Sequence, residues 1–134
     1  MYVQTNKYPD RGYVMTTAKV DVATGLLTGP NIEQSHKMLC DLRGVFADET
    51  ARQNLPQDTV VYRVQAHMVP EAQRPGGLYF GTSIVEPGQV GGEYFMTRGH
   101  FHALRETGEY YWCIDGSGIL LLMGEDRKVT TVTM

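Results

Sequence analysis

Long apolar runs are missing from these 134 residues. No stretch approaches the roughly 20 consecutive apolar residues that a bilayer-spanning helix needs, which excludes a helical membrane span. The opening Met-Tyr-Val-Gln-Thr-Asn-Lys-Tyr-Pro lacks a basic stretch followed by an apolar core, so no secretory signal is expected and a cytoplasmic protein is. Cysteine is scarce. Cys40 and Cys113 stand far apart and outside any C-x-x-C arrangement, which excludes a disulfide scaffold and predicts two reduced, packed thiols. Charge of one sign is in short supply too. A net charge of -3 and a pI near 5.7, with Lys and Arg dispersed, give no electrostatic footprint for nucleic acid, while a small anionic ligand stays compatible. At 134 residues the length is that of a single domain and excludes a two-domain enzyme.

What is present is β-type patterning. Residues 12–21 and 26–28 read as extended pieces broken by Ala23-Thr24-Gly25 and Gly29-Pro30-Asn31, which is hairpin punctuation. Between Ser35 and Leu55 the alternation stops. Met38, Leu39 and Leu42, then Asp48-Glu-Thr-Ala-Arg-Gln, predict one or two short helical turns, the second capped by Asp48 and stopped before Pro56. Strands are expected at 60–68, 79–85, 94–102, 109–114, 119–123 and 128–134, with Glu86-Pro-Gly-Gln-Val-Gly-Gly as a loop and Asp115-Gly-Ser-Gly and Gly124-Glu-Asp-Arg as turns. Short strands joined by Gly-rich turns predict an all-β antiparallel sandwich or barrel.

The informative stretch is Gly99-His100-Phe101-His102-Ala-Leu-Arg-Glu-Thr-Gly-Glu109. In extended chain, residues i and i+2 face the same side, so His100 and His102 point together while Phe101 points away. Residues 104–108 suffice for a hairpin connection that returns Glu109 to both rings. Two imidazole nitrogens and a carboxylate oxygen, with further positions open, suit Fe, Mn, Ni, Co or Zn, and the ligand set alone does not choose among them.

The spacing H-x-H-x6-E-x6-G, ending on Gly116, resembles the first metal-binding motif of cupins, slightly lengthened between His and Glu. Its flanks are more specific. The run Glu86-Pro-Gly-Gln-Val-Gly-Gly-Glu-Tyr-Phe-Met-Thr-Arg-Gly-His-Phe-His-Ala resembles the cupin-type, archaeal-type glucose-6-phosphate isomerases. Lys19-Val-Asp-Val-Ala-Thr-Gly-Leu, Leu42-Arg-Gly-Val-Phe-Ala-Asp-Glu and Asp58-Thr-Val-Val-Tyr62 resemble that family's N-terminal half, in the right order. The resemblance implies a cupin-like jelly roll over residues 1–134 and a divalent metal held by His100, His102 and Glu109. It places a sugar phosphate on Tyr62, Ser83, Thr97 and Gly99, with Tyr111 lining the sugar pocket, and assigns catalysis to Glu109, His100 and Tyr111. Each of these has a plainer reading: Tyr62 shares a face with Val60, Val64 and Met68 and fills a barrel equally well, and Ser83 and Thr97 are ordinary strand residues. Alternation sets Thr97 and Gly99 opposite the histidines, so a shared site requires a bulge near Gly99, and Arg98 becomes a second candidate for an anionic group.

The implied chemistry is interconversion of glucose 6-phosphate and fructose 6-phosphate, a step of glycolysis and gluconeogenesis, by moving a proton, or a hydride, between adjacent carbons. Cupins carry a second motif with a further histidine, and none follows within these residues. His67 and His36 are poor substitutes. The expectation is therefore a three-ligand site of weaker affinity, a barrel incomplete near residues 128–134, and a homodimer covering the exposed edge. Two other functions use the same residues: a sugar-phosphate-binding barrel without turnover, and another cupin metalloenzyme such as a non-haem iron oxygenase.

Overall fold

The computed structural model describes residues 18–68, 79–102 and 108–134. These are mostly strands in antiparallel sheets with almost no helix, a cupin-like all-β fold. A short hairpin pairs β1 (Lys19–Val20) with β2 (Leu27–Thr28). A three-stranded sheet follows in the order β3 (Ile32–Met38), β4 (Val60–His67), β5 (Phe80–Val85), antiparallel throughout. Two hairpins complete the described strands, β6 (Gln89–Val90) with β7 (Glu93–Tyr94) and β8 (Ile119–Met123) with β9 (Val129–Thr133).

The first hairpin docks on the sheet through two side-chain bonds. The Leu27 amide donates to Gln65 Oε1 at 2.7 Å and Thr82 Oγ1 donates to the Gly25 carbonyl at 2.6 Å. Between β3 and β4 the chain forms a 3-10 helix, Leu39–Leu42, and a single α-helix, α1 (Glu49–Gln53). Asp48 caps α1 as its residue type predicts, accepting from the Ala51 amide at 2.8 Å.

Leu39 and Leu42 of the 3-10 helix, Phe46, Val61, Tyr62 and Val90 form the core, with Phe95 and Met96 packed against it. Arg52, only 5% exposed, joins the two helical turns beneath that core. Its guanidinium forks onto Glu49 at 2.7 and 2.9 Å and donates to the Leu39 carbonyl and to Gln57 Oε1, both at 2.6 Å. A buried arginine is tolerated here because its charge and donors are matched.

Several expectations need correction. The chain between Ser35 and Met38 is strand, not irregular, so His36 lies on β3 opposite Arg63. Residues 89–94, read partly as loop, form the β6–β7 hairpin. Residues 95–102 and 109–114, expected as strands, carry no strand pairing among the described residues. Cys40 and Cys113 are both free, but Cys40 is exposed and not packed. Residues 12–17 of the expected extended piece 12–21, and residues 104–107 of the expected connection 104–108, lie outside the described residues.

Candidate metal centre

The segment carrying His100 and His102 is fixed at its N-terminal end by packing and three hydrogen bonds. The Phe95 amide donates to the Gly88 carbonyl at 2.9 Å, and the Phe95 ring lies against Phe46 with centroids 6.4 Å apart. Gly88 has to be glycine for that approach, since a Cβ there would sit 2.5 Å from the Phe95 ring. Three residues on, Arg98 Nη2 donates to the carbonyls of Asp41 and Arg43, each at 3.3 Å. Arg98 is thus engaged with backbone carbonyls.

Beyond Arg98 the two imidazoles converge as the i, i+2 spacing predicts. Their ring centroids are 5.6 Å apart and their planes 27° from parallel. Glu109 joins them from the far side of the connection, with Oε1 2.7 Å from His102 Nε2. The ligand atoms of His100, His102 and Glu109 all lie within 4.8 Å of one another. Donors sharing an ion at about 2.0–2.2 Å must be no more than about 4.3 Å apart, so the set closes on a small divalent ion with shifts below an ångström. Among the described residues His36 and His67 are outside this group.

Tyr111 completes the cluster, its hydroxyl donating to Glu109 Oε2 at 2.7 Å. Burial pushes the Glu109 carboxyl upward, but hydrogen bonds from Tyr111 and His102 and the neighbouring imidazoles outweigh it and hold the group below its ordinary value. Tyr111 moves the other way. Burial, then the bond to the Glu109 carboxylate, push its hydroxyl up to about 12. It is a proton donor throughout the neutral range, and it faces an acceptor-only carboxylate.

A groove of about 670 Å³ opens beside His102 and Glu109, walled by Tyr110, Trp112, Leu120, Leu122 and Val132. The sequence reading missed these walls. Alternation along 119–123 marks Leu120 and Leu122 as one face, but nothing in a single strand says what that face covers. Of the residues expected to hold the sugar phosphate, Tyr62 is in the core at 8% exposure, Ser83 is exposed in the middle of β5, and Thr97 and Gly99 are exposed on the segment before His100.

The family model for glucose-6-phosphate isomerase (GPI) matches residues 36–134, a span that holds every residue of the cluster. The chain belongs to the glucose-6-phosphate isomerase family. It is 37% identical over 117 residues to the glucose-6-phosphate isomerase of Thermococcus gammatolerans, covering 87% of this chain and 60% of that protein. It is 38% identical over 118 residues to the enzyme of the same name from Pyrococcus furiosus, with the same coverage. The Sinorhizobium medicae protein of that name is 40% identical over 120 residues, 54% of its length. The chain therefore spans about 60% of the length of the first curated relatives it matches.

Proposed function

We propose that this protein is a divalent-metal-dependent isomerase interconverting glucose 6-phosphate and fructose 6-phosphate. The observation that carries the reading is the convergence of His100, His102 and Glu109, with Tyr111 bonded to the carboxylate, in a chain of the glucose-6-phosphate isomerase family. His100, His102 and Glu109 would hold the metal, which when bound polarises a substrate carbonyl and stabilises negative charge developing on oxygen.

The remaining chemistry is done by the protein's own groups. An aldose becomes a ketose when a proton leaves one carbon and returns to its neighbour, and a carboxylate beside the substrate can carry it. Glu109 is the carboxylate in place. Held below its ordinary value by Tyr111 and the imidazoles, it is ionised near neutrality, in the form that can take up a proton, though as a weaker base than a free carboxylate. Tyr111 steers Glu109 through Oε2, and its hydroxyl stays protonated near neutrality, which keeps that bond in place. Leu120, Leu122 and Val132 line the groove beside that carboxylate. Tyr62, Ser83, Thr97 and Gly99 are assigned to the sugar phosphate.

The reaction belongs to glycolysis and gluconeogenesis, and a cytoplasmic location is part of the proposal. No described helix is long and apolar enough to cross a membrane. A homodimer is part of the proposal, supported by Ile119, Leu121 and Val129, which are 66%, 61% and 55% exposed on the β8–β9 hairpin.

The test is a coupled assay following fructose 6-phosphate to glucose 6-phosphate on chelator-stripped protein, then with Fe(II), Mn(II), Ni(II), Co(II) or Zn(II) added singly. Turnover that requires metal and is lost in His102→Ala supports the reading. No turnover with any metal, while fructose 6-phosphate still raises the melting temperature, would replace it with sugar-phosphate binding alone.

A further inference from the structure

A sugar phosphate brings a dianionic group to a protein whose net charge is -3. The hydroxyls of Ser83 and Thr97 can bond phosphate oxygens but supply no compensating charge. The sheet register supplies one. Residues opposite each other in an antiparallel ladder share a face of the sheet. Lys37 on β3 is opposite Tyr62 on β4, which is opposite Val85 on β5. In the next row Ser35 is opposite Val64, which is opposite Ser83. Lys37, Ser35, Tyr62 and Ser83 therefore occupy one face in two adjacent rows, and Lys37, Ser35 and Ser83 are exposed.

The other charges of the sheet do not compete with Lys37. Arg63 belongs to the opposite face and is ion-paired with Glu86. Glu33, the acid of β3 on the Lys37 face, is four residues away, about 13 Å along an extended strand, where solvent and salt largely screen it. The Lys37 end of the sheet is also where the histidine-bearing segment docks. β3 runs directly into the 3-10 helix, and Arg98, flanked by Thr97 and Gly99, holds the carbonyls of Asp41 and Arg43 in and just after that helix.

We propose that Lys37 is the cationic contact for the phosphate group of the sugar phosphate, acting with the hydroxyls of Ser83 and Ser35. This rests on the sugar-phosphate reading above. Strand spacing sets the Cα atoms of Lys37 and Ser83 about 12 Å apart, a gap that an extended lysine side chain and a phosphate group span together. A lysine that only guards the edge of β3 against association would have no such ligand dependence.

The test is titration calorimetry of the full chain loaded with Mn(II), adding fructose 6-phosphate and, separately, unphosphorylated fructose, with Lys37→Ala and Lys37→Arg compared. In Lys37→Ala, fructose 6-phosphate should bind about tenfold or more weakly with a reduced dependence on salt, while Lys37→Arg retains most of the affinity. Mn(II) affinity and melting temperature should not move in either variant, because Lys37 is exposed and outside the metal cluster. Wild-type affinity for fructose 6-phosphate in Lys37→Ala would overturn the assignment and leave the isomerase reading standing. A wild-type protein that binds no sugar phosphate would overturn both.

Discussion

Tyr111 donates its hydroxyl to Glu109 Oε2 at 2.7 Å, which leaves Oε1 to His102 at 2.7 Å. The phenol acts on the candidate metal centre through the carboxylate it orients. Loss of such an outer partner typically costs 10–100-fold in metal affinity. Tyr111→Phe should therefore weaken Mn(II) binding by about 10–100-fold, and His100→Ala, His102→Ala and Glu109→Ala by more than that range. Titration calorimetry on the four variants checks both halves. Tyr111→Phe binding metal as the wild type does would disconnect the phenol from the site.

The Glu49–Arg52 fork is expected to contribute an acid dependence to stability. The bidentate bond from Arg52 is the main cause that brings the Glu49 carboxyl down from its ordinary 4.5 to about 2. Because the folded value lies below the unfolded one, the contribution is complete above about pH 4.5 and is lost as pH falls toward 2. Glu49→Gln should flatten the pH dependence of the urea midpoint in that window and change it little at pH 7 relative to its own acid value. Arg52→Met leaves the Leu39 carbonyl and Gln57 without their donor, and its melting temperature should fall by about 5 °C or more. An unchanged slope below pH 4.5 in Glu49→Gln would assign the acid sensitivity to other carboxylates.

The sequence was legible wherever a residue's local chemistry decides its geometry. β-branched and aromatic residues marked β4, apolar or β-branched segments bounded by turns marked β5, β8 and β9, Asp48 marked the start of α1, and the i, i+2 spacing brought His100 and His102 together. β3 was missed from Glu33 to Lys37 because it is an edge strand exposed on both faces, so no apolar period survives in it and its pairing with β4 is decided by tertiary contact. The opposite failure occurred at 95–102 and 109–114. Their patterning is strand-like, but a ladder needs a neighbour with free backbone groups, and no described residue supplies one. Arg52 gave no signal at all: a lone arginine in a polar helix reads as solvated until Leu39, Glu49 and Gln57 are seen around it.

The β6–β7 turn is specified by two glycines for different reasons. Gly91 and Gly92 both have positive φ, +56° and +91°, which suits a two-residue hairpin turn. At Gly91 a Cβ would also sit 2.8 Å from the Asp48 Cβ, whereas at Gly92 nothing lies within 4 Å. Gly92→Ala should cost only the left-handed backbone penalty, about 1–2 kcal/mol. Gly91→Ala adds displacement of the residue that caps α1 and should cost about 2–3 kcal/mol. Urea unfolding of the two variants separates them, and equal costs would mean that Asp48 yields without disturbing its cap.

Leu42 and Leu121 are the same residue type in opposite surroundings, 0% and 61% exposed. Leu42→Ala removes packing from the core that seats Phe46 and Tyr62, and should cost about 2–5 kcal/mol. Leu121→Thr, on a strand where Thr pairs well, should change the stability of dilute protein by about 0.5 kcal/mol or less. At higher concentration the two should differ in kind. If the homodimer forms across the outer face of the β8–β9 hairpin, wild-type melting temperature rises with concentration and Leu121→Thr abolishes that rise, while Leu42→Ala lowers the curve without flattening it. Thermal unfolding over a hundredfold concentration range, with light scattering at each end, decides this. A concentration-independent wild-type melting temperature with monomer throughout would remove that face from any dimer interface.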